Sequence, residues 1–140
     1  MGTRSHIGIE NQDGTVRYIY CNWDGYPDHN GKILIENYFL ADKINELLDL
    51  GDISSLAPEI GEKHDFDNPP KNQCNVYGRD RGENNTKSRT VGDIDQFLKL
   101  ADEDYTYLFR NGKWFFRNWK KPLEELTPAA YTELEEEEIV

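Results

Sequence analysis

Two polar loops hold the residues best suited to chemistry. The first is Cys21-Asn22-Trp23-Asp24-Gly25-Tyr26-Pro27, just past a β-branched and aromatic run. Trp23 and Tyr26 offer stacking faces, and Asn22 and Asp24 can read donors on a ligand. The second is Tyr77-Gly78-Arg79-Asp80-Arg81-Gly82, where two arginines flank an aspartate. Guanidinium forks suit phosphate or carboxylate. Lys87 and Arg89 follow closely and make this the basic cluster of the body; Arg4 joins it if the strands concerned are neighbours. Facing each other, the loops would form one ligand-binding site from Arg4, Asn22, Trp23, Asp24, Tyr26, Tyr77, Arg79, Asp80 and Arg81. The plainer alternative tucks Trp23 and Tyr26 into the core, makes Asp24 a cap, and pairs Asp80 with its own arginines in solvent.

Other chemistry finds little support. His6, His29 and His64 are scattered, with no HExxH and no paired CxxC, so no metal is expected. His64, Asp65 and Asp67 are compact but read more simply as turn residues. An EF-hand over 26–37 fails because Asn37 falls where the bidentate carboxylate must stand. There is no GxSxG, no phosphate-binding glycine loop and no dinucleotide fingerprint, hence no expected cofactor. No catalytic residue is assigned.

The elements that must position these loops follow from periodicity. Ser5–Glu10 alternates polar and apolar residues, Asn11–Gly14 is a turn, and Val16–Cys21 is strand-like, so an antiparallel hairpin is expected. Asn22–Gly31 is an irregular loop. Lys32–Phe39 and Ala41–Leu50 read as helices, the second with Ile44, Leu47 and Leu48 on one face and Gly51 at its end. Residues 52–70 lack a period and hold three prolines, which predicts a long surface excursion. Gln73–Tyr77 is a short strand, and 78–89 a polar loop. Thr90-x-x-Asp93 resembles a capping box before a helix carrying Ile94, Phe97, Leu98 and Ala101. Tyr105–Phe109, the Asn111-Gly112 turn and Lys113–Trp119 form the clearest hairpin. Thr127-Pro128 opens a final acidic helix. The expected fold class is α+β, with an antiparallel or mixed sheet of about five strands and helices mainly on one face.

Composition bounds the function. The 140 residues fit a single domain, 1–140, with 124–140 as an acidic C-terminal helix or tail. Seventeen aromatic residues argue against disorder. The net charge is −11, but seven glutamates follow Lys121 with no cation among them, leaving −4 over 1–123. That balance disfavours duplex DNA as a partner. No apolar run could span a bilayer and no signal peptide is expected. Cys21 and Cys74 are expected to be buried free thiols.

Four ordered motifs carry a resemblance: Thr3-Arg4-Ser5, Tyr20-Cys21-Asn22-Trp23-Asp24-Gly25-Tyr26-Pro27, Gly51-Asp52-Ile53-Ser54-Ser55-Leu56 and Tyr77-Gly78-Arg79-Asp80-Arg81-Gly82-Glu83. Over residues 3–120 the chain resembles a family of small phage- and prophage-encoded proteins. That family often has His before the Trp, where this chain has Asn22, so no imidazole role transfers to that position. The resemblance implies a phage origin and the cytoplasm of an infected bacterium, not an activity. The expected function is that of an accessory binding protein interfering with a host defence system. It would sequester a small anionic ligand, such as a nucleotide, or block a host protein through its tail and outer aromatics. A small nucleotide or phosphodiester hydrolase using Asp24, His64 or Asp80 is the alternative. Self-association as a homo-oligomer stays open.

Overall fold

The sheet is built outward from Ser5–Glu10 (β1), whose first five residues are all buried. A computed structural model of the chain describes residues 2–129. Val16–Cys21 (β2) pairs antiparallel with β1, Ile7 opposite Ile19. Pro27–Gly31 forms a π-helical turn that runs into Lys32–Asn37 (α1), and Ala41–Asp49 (α2) follows. Next come Ile53–Ser55 (β3), Asn75–Val76 (β4), Tyr77–Arg81 (α3), Arg89–Val91 (β5) and Ile94–Leu100 (α4). Tyr105–Arg110 (β6), Lys113–Asn118 (β7) and Glu124–Glu125 (β8) complete the order.

The strands lie in the order β4-β3-β2-β1-β6-β7-β8, with β5 on the free edge of β2. The sheet is mixed: β1–β6 and β2–β3 are parallel and the other pairs antiparallel. The α+β class stands, and the strand number exceeds the expected five. The additional strands, β3, β5 and β8, are two or three residues long. None is long enough to show alternation, and each is made a strand by the edge it joins. Glu124 and Glu125 pair with Phe116 and Phe115, and the helix expected after Thr127-Pro128 runs into the acidic stretch from 130 onward, which lies outside the described residues.

Period-two alternation gives the sheet two buried faces. Ile7, Ile9, Ile19, Cys21, Tyr107, Phe109, Trp114 and Phe116 pack against Leu34 and Tyr38, in or just after α1, and Ile44, Leu47 and Leu48 of α2. Val16, Tyr18 and Leu108 face the other way and meet Phe97 and Ala101 of the α4 region. Helices therefore cover both faces, α1 and α2 one, α4 the other. Each fully buried aliphatic side chain contributes about 1.5–3 kcal/mol. The cap of α4 is Asp93 itself, whose carboxylate accepts from the Gln96 amide; Thr90 is drawn into β5 opposite Arg17. Gly51, at φ +79°, ends α2 as expected.

Candidate functional site

The 22–30 loop is fixed from several directions. Gly25 donates its amide to Thr3 O, and its carbonyl accepts from the Tyr107 hydroxyl at 2.6 Å. A Cβ at Gly25 would lie 2.9 Å from Ser5 Cβ and from Thr3 O, so the loop needs glycine there. Asn30 is fully buried and organises the rest. Its Nδ2 faces Ser5 Oγ, Cys21 Sγ and Trp23 O at 3.3–3.4 Å. With three acceptors on that side, the amide oxygen turns to His29 Nδ1, 2.9 Å away. His29 Nδ1 therefore carries a proton toward that oxygen. Nε2 lies 3.9 Å from Asp24 Oδ2. Asp24 Oδ1 accepts from the Tyr26 hydroxyl at 3.0 Å, which first among several effects raises the phenol's pKa.

Asp24 and His29 stand on one rim of a groove of about 470 Å³, a size usual for ligand sites. Leu56, Ala57 and Pro58 line it, with Pro69, Pro70, Asn72 and Gln73 of the excursion, and its lining contains neither Lys nor Arg. Two of the lining residues, Asp24 at φ +57° and Asn72 at φ +68°, hold left-handed backbone. Asp and Asn enter that region more readily than other non-glycine residues, and such backbone gathers at functional sites.

The excursion is ordered, because Arg79 and Asp80 tie down its root. Arg79 donates to Ile60 O, Gly61 O and Cys74 O, and pairs with Asp80 at 2.9 Å. The Asp80 side chain, shielded from solvent, also accepts the amides of Val76 and His64. Burial raises its pKa, but the Arg79 hydrogen bond, the two amides and the Arg79 charge together hold the carboxyl below its ordinary range. His64 Nε2 lies 3.4 Å from Asp80 and 2.9 Å from Asn75 Oδ1, and Nδ1 2.9 Å from Glu62 O. Asp65 accepts from the Asp67 amide and the Asn68 side chain, a turn role. Among the described residues no group of three or more His, Cys, Asp and Glu is placed to hold a metal ion.

The nine residues singled out in the sequence fall in three places. Asp24 lines the groove and Tyr26 holds its carboxylate, while half-exposed Trp23 lies against Gly2. Arg4, Asn22 and Tyr77 gather around Tyr20: its hydroxyl donates to Asn22 Oδ1, and Arg4 and Tyr77 act on it electrostatically. Arg79 and Asp80 anchor the excursion, whereas Arg81 lies 4.4 Å over the Phe66 ring and pairs with Glu83. Among the described residues no hydrogen bond, ion pair or ring contact joins 22–27 to 77–82.

Sequence reasoning missed His29, Asn72 and Gln73. Asp24, Tyr26 and His29 within six residues were the available signal for the first; nothing in 71–73 announces the others. Both cysteines are buried free thiols. Burial pushes Cys21 up to about 12, partly opposed by Asn30, and also raises Cys74. Neither is an ionised nucleophile at neutral pH. Among the described residues no helix is long and apolar enough to cross a membrane. Comparison with known protein families, with curated proteins and with solved structures finds nothing that matches the chain.

Proposed function

We propose that this is a phage-encoded binding protein of the infected cell's cytoplasm that sequesters a small ligand of the nucleoside class in the groove between the 22–30 loop and the excursion. The observation that carries the reading is the oriented rim: Asn30 holds the His29 ring by its Nδ1, with Nε2 3.9 Å from the Asp24 carboxylate. Base edges carry both donors and acceptors, and the Asn72 side-chain amide stands on the other wall beside Gln73, whose Oε1 accepts from the Glu62 amide. The leucine and prolines give apolar faces for a ring. With no cation in the lining, the phosphate of a nucleotide would point out of the groove. The phage origin rests on the four-motif resemblance.

The reading is tested by titrating adenosine, guanosine, cytidine and uridine into labelled protein by NMR. Shifts at His29, Asn72 and Gln73 with at least one nucleoside, weakened about tenfold by Asp24→Asn, are expected for a charge-assisted contact. Shifts confined to other surfaces, or none, contradict it.

One observation favours the hydrolase reading as second. His29, held at Nδ1 by Asn30, has Nε2 3.9 Å from the Asp24 carboxylate, and a His–carboxylate pair is suited to general acid–base work. Turnover of a nucleotide panel that disappears in His29→Ala would favour it over sequestration.

A further inference from the structure

Arg117 has 8% of its surface exposed, yet no ion pair involving it occurs among the described residues. One terminal nitrogen donates to Leu98 O and Ala101 O at the end of α4. Its Nε is buried with no partner among the described residues. Arginine keeps its proton, so a buried guanidinium without a counter-charge is costly. Burial lowers its pKa below the ordinary value, and the Asp102 charge opposes this only in part.

Arg117 lies in the lining of an open basin of about 540 Å³ between α4 and β7. Lys99 comes to the basin from α4 and Lys120 from the turn after β7, with Asp95, Leu98 and Asp102 completing the lining. Three cations against two carboxylates make the lining net positive in a chain of net charge −11. Trp119 borders it: the indole N–H donates to Asp102 Oδ1 at 2.9 Å, and the Lys120 ammonium lies 5.0 Å over its ring. The indole is more than half exposed.

We propose that this basin binds a phosphate-type oxyanion carried by a small molecule, with Arg117 as its buried cation, Lys99 and Lys120 as its two mobile arms, and Trp119 as the face for an attached ring. The oxyanion would give Arg117 the ion pair it lacks among the described residues, and desolvated Arg–phosphate contacts are the strong kind. The site is separate from the groove and does not depend on what the groove binds.

The probes are inorganic phosphate and adenosine monophosphate, titrated into the full chain and read at the Arg117 Nε–H and Trp119 Nε1–H resonances. Both resonances should shift with both probes, and affinity should fall at least tenfold in Lys99→Ala/Lys120→Ala. Those lysines are exposed, so that variant keeps its fold even if Arg117→Lys does not. Equal affinities assign the site to free phosphate; tighter adenosine monophosphate, lost in Trp119→Ala, assigns it to a nucleotide. No shift at millimolar probe, or shifts unchanged by the double lysine variant, overturns the proposal. His29 and Asn72 should not move with phosphate, which keeps this outcome apart from that of the groove.

Discussion

His29 Nδ1 lies 2.9 Å from the side-chain oxygen of Asn30, and the other end of that buried amide faces three acceptors of the 5–23 region. One side chain thus locks a loop and sets which imidazole nitrogen meets the groove. Asn30→Ala should cost about 2–3 kcal/mol, because it orphans buried groups as well as losing bonds. Denaturant unfolding gives the cost, and the His29 15N shifts should show the tautomer preference lost.

Gly25→Ala should destabilise by about 1–3 kcal/mol, since its Cβ would meet Ser5 and Thr3 at 2.9 Å. Gly82→Ala is the control for handling a glycine in a loop: nothing lies within 4 Å of its Cβ, and its cost comes from φ +75° alone. A larger loss at Gly25, accompanied by shifts in Trp23 fluorescence, is expected.

Asp80→Ala should cost about 3–5 kcal/mol by leaving Arg79 without its buried partner. The folded carboxyl has a depressed pKa. Its contribution is therefore complete above the unfolded carboxylate value and is lost as pH falls through the folded one. Acid unfolding of the wild type should steepen below the ordinary carboxylate range, and the variant should lack that step. Hydrogen exchange should rise first over 60–66, where Arg79 and Asp80 hold the excursion.

His6 is buried against Tyr18 and Tyr20, its Nδ1 without a partner among the described residues. Burial, helped by the Arg89 charge, lowers its pKa from 6.5 to about 4. The unfolded chain then takes the proton first, so stability is complete above pH 6.5 and drains away between 6.5 and about 4. The loss is roughly 3 kcal/mol at a tenfold change per 1.36 kcal/mol. His6→Leu should flatten the stability profile across that window, measured by urea midpoints at stepped pH.

How much of this is legible in the sequence depends on length and on reach. Both hairpins are, because Val16–Cys21 and Lys113–Asn118 each show six residues of β-forming pattern next to a turn. α2 and α4 are, because their apolar residues repeat at helical spacing. β3 is not: Ile53-Ser54-Ser55 has no alternation to read and becomes a strand only on the edge that β2 leaves open at Cys21. The loop containing Asp24 stands out in the sequence as a candidate site, but the wall facing it in the groove does not. Asn72 and Gln73 reach the groove because Glu59 pairs with that stretch through its backbone, and Arg79, which looks like a ligand binder in isolation, braces the same turn through Ile60 O and Cys74 O. Asn30 reads as one more polar residue in a polar loop; its burial comes from the sheet face beneath it.

The central claim is that the groove captures a small molecule. Native mass spectrometry of the purified protein, before and after exposure to a small-molecule filtrate of phage-infected bacteria, tests it most directly. The account predicts a discrete mass gain in the nucleoside or nucleotide range, kept in Lys99→Ala/Lys120→Ala and lost when Asp24→Asn is added to that variant. No gain in Lys99→Ala/Lys120→Ala, or a gain there that adding Asp24→Asn leaves intact, would contradict it and turn attention to a protein partner.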